Sequence, residues 1–169
     1  MTRGWRLPTY IADYKDDLAA MGPGKFAVHY PHPVLIVLGL TGTLEGPSGS
    51  GTVVAAATDT MLLTTLMGRV FPLAKARHAN PGPVRVGRTS DNDICIPEYS
   101  ISKFHCNLAL VGADMRLTDS GSTNGTSVNG KRLGPKTACT LVGGETLVMG
   151  RFAFLFHRAA GFVAYLSTR

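Results

Sequence analysis

The stretch GRTSDNDICIPEYSISKFH, residues 87–105, sets an arginine directly after a glycine and a serine three positions before a histidine, with Lys103 beside that serine. Arg88, Ser102 and Lys103 offer a guanidinium, a hydroxyl and an ammonium. A set of donors without a resident acceptor points to an anion bound from outside. Asn92 and Asp93 read as turn builders between short strands. The competing reading pairs Arg88 with Asp91 or Asp93 on the surface, an interaction that contributes little.

On both sides of this stretch, from residue 70 onward, short apolar runs alternate with Gly, Pro, Asn and Asp clusters, the pattern of a sandwich or barrel. The expected strands are 71–76, 84–88, 94–96, 106–111, 115–119, 127–128, 131–133, 138–141, 147–149 and 152–157. Asn129-Gly130 falls at the centre of a tight hairpin turn, where both residues need positive φ. The tail, 159–169, is expected to lay one or two helical turns on the sandwich. The fold class is mainly β, built of short, antiparallel-rich strands.

Residues 1–69 read as an extension of mixed structure. Ile11, Tyr14, Leu18 and Met21 share one face of a helix over 9–21, with Thr9 capping its start and Gly22 ending it. Apolar stretches at 26–30 and 34–40 read as strands, with a buried segment as the alternative, EGPSGSG at 45–51 as a flexible loop, and 52–67 mixes helix and strand formers. The domain reading is therefore 1–69 as extension, 70–158 as sandwich and 159–169 as tail.

The composition, 44% apolar and 17% charged with 20 Gly and 10 Pro among 169 residues, excludes a disordered chain. The formal charge of +6 lies wholly in residues 71–169, where 12 Lys and Arg face six Asp and Glu; residues 1–70 hold five of each. Such a half suits nucleic acid, membrane headgroups or a phosphorylated protein, and only spacing can choose. Cys95, Cys106 and Cys139 form no CxxC and no metal-ligand spacing with histidine, so free, mostly buried thiols in a reducing compartment are expected, with no metal and no cofactor. Cys106 adjoins His105, but strand neighbours point to opposite faces, which argues against a Cys–His nucleophile. The first residues lack a secretory pattern, and the longest aliphatic run, 33–40, is far short of the ~20 residues of a membrane helix. The expectation is a cytoplasmic protein with no membrane partner.

Gly87-Arg88, then Ser102-Lys103-Phe104-His105, then Thr123-Asn124-Gly125 within GSTNGT, then VNGKRL and GETLVMGRFAFLF follow one another in an order that resembles the forkhead-associated (FHA) family. The resemblance covers about residues 70–157. It implies an FHA-type β-sandwich that binds phosphothreonine peptides, with Arg88, Ser102, Lys103, Thr123 and Asn124 on the ligand and Gly87, His105 and Gly125 supporting the site. Asn124 would hold the peptide backbone, and His105 would brace a loop rather than touch phosphate. The family also seats the threonine γ-methyl in a small notch and reads a side chain about three positions further on, for which the loop carrying Ser127 is one candidate. Lys103 departs from the arginine frequent there, keeping the charge without the planar fork. Independently of the family, a sandwich gathers its connections at two ends, so distant loops can present donors to one point.

Three rival readings are weaker. GPSGSGT at 46–52 imitates a phosphate loop but lacks its lysine. His29, His32, His78, His105 and His157 form no H-E-x-x-H, and no Gly-x-Ser-x-Gly elbow or acidic pair occurs in the basic half, so no enzyme and no catalytic residue is expected. A nucleic-acid binder would want aromatic platforms, and only Phe104 lies near the proposed pocket. A docking module with an idle pocket is the runner-up. A phosphorylated threonine of the arm (Thr9, Thr41, Thr43, Thr52, Thr58, Thr60, Thr64 or Thr65) is a second candidate ligand, against the plainer reading that these residues only build structure.

Overall fold

In a computed structural model of the protein, residues 9–41, 57–76 and 81–168 are described. The alternating pattern from residue 84 resolves into strands β3 (Val84–Gly87), β4 (Ile94–Cys95), β5 (Cys106–Val111), β6 (Asp114–Asp119), β7 (Thr126–Val128), β8 (Lys131–Arg132), β9 (Ala138–Leu141), β10 (Thr146–Met149) and β11 (Phe152–His157). Ahead of them come β1 (Val34–Leu40) and β2 (Val70–Pro72). Two sheets result, β2-β1-β11-β10-β7-β8 and β4-β3-β5-β6-β9, with the β3–β4 pair parallel. Between them lies the main core, where Val86, Leu108 and Leu117 of one sheet meet Leu147, Phe154 and Phe156 of the other. Burying each such side chain contributes roughly 1.5–3 kcal/mol. Asn129 (φ 49) and Gly130 (φ 79) make the β7–β8 hairpin, with Val128 opposite Lys131.

The expectation that residues 1–69 stand apart from the sandwich is corrected at β1. Val34–Leu40 pairs antiparallel with β11 along its length and with β2 on its other side. Leu35 and Val37 face the main core, while Val34 and Ile36 face a second cluster on the outer side of the sheet. Burial on both faces explains why this strand reads as a continuous apolar run rather than an alternation. Helices α1 (Ile11–His29) and α3 (Ala159–Ser167) cover that outer face, joined through Tyr14, Phe26 and Phe162 in edge-on and tilted ring contacts.

The helical segment extends past its expected end. Gly22 (φ 78) kinks it, and a further stretch from Pro23 to His29 follows, which overturns the strand expected at 26–30. Proline fits the first turn of the renewed helix, and Phe26 gains burial there. The N-cap is Tyr10 rather than Thr9; the Asp13 carboxylate accepts from the backbone N–H of both, each at 2.9 Å. Residues 57–66 are helical (α2), and the strand expected at 71–76 ends at Pro72, where Ala74 turns back onto the Pro72 carbonyl. The loop and phosphate-loop mimic at 45–52 lie outside the described residues.

Candidate functional site

Three connections at one end of the sandwich meet around residues 88, 100–103 and 123–125. The chain leaving β3 is clamped to the middle one: the Arg88 N–H donates to the Ser102 carbonyl at 2.9 Å, and Arg88 Nε donates to the Ile101 carbonyl at 3.1 Å. Gly87 permits this approach, since a Cβ there would stand 2.1 Å from the Lys103 carbonyl oxygen. One guanidinium edge is thus tethered, and among the described residues its remaining nitrogens meet no carboxylate. The surface pairing with Asp91 or Asp93 does not form. Asp93 accepts from Lys75 Nζ at 2.7 Å and from the backbone of Ala76 and Arg85, while Asp91 is influenced by Thr89, Arg85 and Lys103.

Ser102 Oγ accepts the Thr123 N–H at 2.9 Å, which leaves the serine proton to donate outward. Thr123 is exposed, as is Lys103. Asn124 turns inward: its Nδ2 donates to the Ser100 carbonyl at 2.9 Å, tying the third connection to the second. Its carbonyl oxygen and its second Nδ2 hydrogen are left for a ligand.

His105 is fully buried beneath these loops. The Ser102 N–H donates to Nδ1 at 3.1 Å, so that nitrogen carries no proton; Nε2 carries it and donates to the Gly125 carbonyl at 3.0 Å. Burial lowers the imidazole pKa below its ordinary value, against the opposing pull of Gly125 and Asp119. The ring is a neutral brace between two connections. Gly125 itself holds φ 81, a region other residues rarely adopt.

Sequence reasoning missed the groups that hold the connections in place. Asp119 accepts from the backbone N–H of Gly121 and Ser122 through one oxygen and from the hydroxyls of Ser122 and Thr126 through the other. Burial pushes its pKa up, but these bonds outweigh it and leave the carboxyl below its ordinary value. Its signal was readable, since Asp followed by Gly and Ser at plus two and plus three is a side-chain-closed turn. Glu98, Ser100 and Arg151 form a buried set in which Glu98 Oε1 accepts from Arg151 Nε at 2.8 Å and Glu98 Oε2 accepts from the Ser100 hydroxyl and, at 2.9 Å, from its N–H. The Arg151 N–H donates to Ser100 Oγ at 3.0 Å. Fifty-three residues separate Glu98 from Arg151, so no local pattern announces their pairing. A second exposed aromatic, Tyr99, joins Phe104 beside the pocket, the first under Arg151 at 4.5 Å and the second under Arg85 at 5.3 Å.

The model of the FHA domain matches residues 84–150, the span that carries all three connections. Over these residues the chain carries an FHA domain. It is 36% identical over 95 residues to the ABC transporter ATP-binding/permease protein Rv1747 of Mycobacterium tuberculosis, covering 56% of this chain and only 11% of that protein. It is 29% identical over 120 residues to the glycogen accumulation regulator GarA of Mycolicibacterium smegmatis, covering 67% of this chain and 72% of the regulator. Among solved structures, the FHA domain of an Arabidopsis thaliana hypothetical protein superposes with a TM-score of 0.52 at 22% identity, over 75% of this chain and 85% of that one, a likeness of fold. No helix among the described residues is long and apolar enough to cross a membrane.

Proposed function

We propose that this end of the sandwich binds phosphothreonine peptides and that the protein acts without chemistry of its own, in Ser/Thr-kinase-dependent signalling or regulated assembly. The observation that carries the reading is the Arg88 guanidinium, tethered at Nε and meeting no carboxylate among the described residues, beside a Ser102 hydroxyl that accepts from Thr123 and keeps its proton to donate. A phosphate dianion would take two charged bonds from Arg88, one from Ser102 and one from the Thr123 hydroxyl, with Lys103 adding positive field. No base takes part. Asn124 offers its carbonyl oxygen to a backbone N–H of the peptide and its second Nδ2 hydrogen to a backbone carbonyl. Gly87, His105 and Gly125 act by keeping the connections in register. A phosphorylated threonine of the protein's own arm is a second source of the same ligand; mass spectrometry finding none in the native protein would remove it.

The test is calorimetric titration with a phosphothreonine peptide and its unphosphorylated counterpart. The reading expects binding of the phosphorylated peptide only. Binding of neither peptide would favour a docking module with an idle pocket, and competition by single-stranded nucleic acid would favour the basic-surface reading.

A further inference from the structure

A cavity of about 450 Å3 opens at the edge of the six-stranded sheet, between the end of α1 and β2, with Tyr14, Tyr30, Val34, Val70 and Phe71 in its walls. Its volume falls in the range of small-molecule sites, roughly 300–1,000 Å3. It lies away from the phosphate-facing connections. Val34 sits opposite Pro72 and His157, at the end of β11 remote from Arg151, whose main chain reaches Ser100.

The chemistry of the walls narrows the occupant. Arg69, His29 and His32 line the cavity, and among the described residues no Asp or Glu does. The Arg69 guanidinium stacks over the Phe71 ring at 4.9 Å and meets no carboxylate among the described residues, so its donors are available to a guest. An added peptide strand is disfavoured, because the outer edge of β2 is already closed. The Val70 N–H donates to the Thr9 carbonyl at 2.8 Å, and Pro72 has no N–H to give. The ring of Tyr30 is held by its hydroxyl donating to Asp17 and by edge contacts with Tyr14 and His29, which presets one wall.

We propose that this cavity is a second binding site, for a small aromatic molecule carrying one anionic group, its rings against Phe71, Val34 and Tyr30 and its anion on Arg69. It is independent of the phosphopeptide reading, so either can fail alone. Two dyes test it on the full chain: 1-anilinonaphthalene-8-sulfonate, and N-phenyl-1-naphthylamine, which lacks the sulfonate. Saturable one-site fluorescence enhancement by the sulfonate dye is expected. Arg69→Gln should weaken it about tenfold, the loss of a charged bond, while moving the neutral dye by less than about twofold. Ala74→Trp, which fills the cavity from its wall, should abolish both, with an unchanged circular dichroism spectrum and denaturation midpoint as the check on folding. Sulfonate-dye binding that both variants leave unchanged would overturn the site. An equal loss of both dyes in Arg69→Gln would overturn the anionic class. Self-association of the wild type abolished by Ala74→Trp would assign the cavity to a second copy of the chain and overturn the small-molecule assignment.

Discussion

Arg88 and Arg151 are the same residue set to opposite uses at one end of the sandwich. Arg151 is buried and spends its Nε on Glu98, while its backbone N–H holds Ser100. Arg88 is exposed, tethered by one nitrogen to a carbonyl, and faces solvent with the rest of its fork. Whether a carboxylate lies within reach decides between them. A paired, buried guanidinium is committed to the fold, whereas an unpaired one beside free hydroxyls keeps its electrostatic attraction for a guest.

The sharpest way to break this contrast is to strip each arginine of its surroundings. Glu98→Ala leaves Arg151 buried without its partner and should cost about 3–5 kcal/mol of stability, read by chemical denaturation; replacing both by Leu and Met should recover most of that. Arg88→Ala should do the reverse, weakening phosphopeptide binding by ~100-fold or more while moving stability by less than about 0.5 kcal/mol. Arg88→Lys keeps charge but not the fork and should lose roughly tenfold in affinity.

The supporting groups give smaller effects that report on the same division. Asp119→Asn loses acceptor capacity for a cluster of donors and should cost about 1–3 kcal/mol, with weaker peptide binding as the Thr123 connection loosens. Acid should act in the same direction. His105 has a folded pKa below its ordinary 6.5, so the native state binds fewer protons than the unfolded chain, and the stability it contributes is present above 6.5 and lost as pH falls below that value toward the folded pKa. Asp119, lowered from 3.8, adds a second loss as pH falls below that value. Denaturation midpoints at pH 7.5, 5 and 3 check both signs, the first interval for His105 and the second for Asp119. The mildest outcome concerns the thiols: Cys106 is buried and its thiol is pushed up, so a thiol reagent should modify Cys95 and Cys139 in the folded protein and Cys106 only on unfolding.

What could be read from the chain follows the range over which each structure is determined. Strands such as 106–111, 138–141 and 152–157 lie between turn formers that mark both their ends, and their bounds match the structure. β1 was misplaced outside the sandwich because its place depends on β11, more than a hundred residues away, and because burial on both faces hides its period. At the site, Arg88, Ser102, Thr123 and Asn124 were legible by type and order. The Glu98–Arg151 pair was not, since charges so far apart in sequence look like ordinary surface residues until the fold joins them. The inward turn of Asn124 to Ser100 also depends on that contact.

The most direct test of the central claim, that the unpaired guanidinium and its neighbouring hydroxyls form the anion seat, is nitrogen–proton NMR during titration with a phosphothreonine peptide. The account predicts that the Arg88 side-chain Nε–H and the backbone amides of Ser102, Lys103 and Thr123 move most, and that the unphosphorylated peptide leaves them in place. Phosphate-dependent shifts confined to another face, with these four signals unmoved, would contradict it.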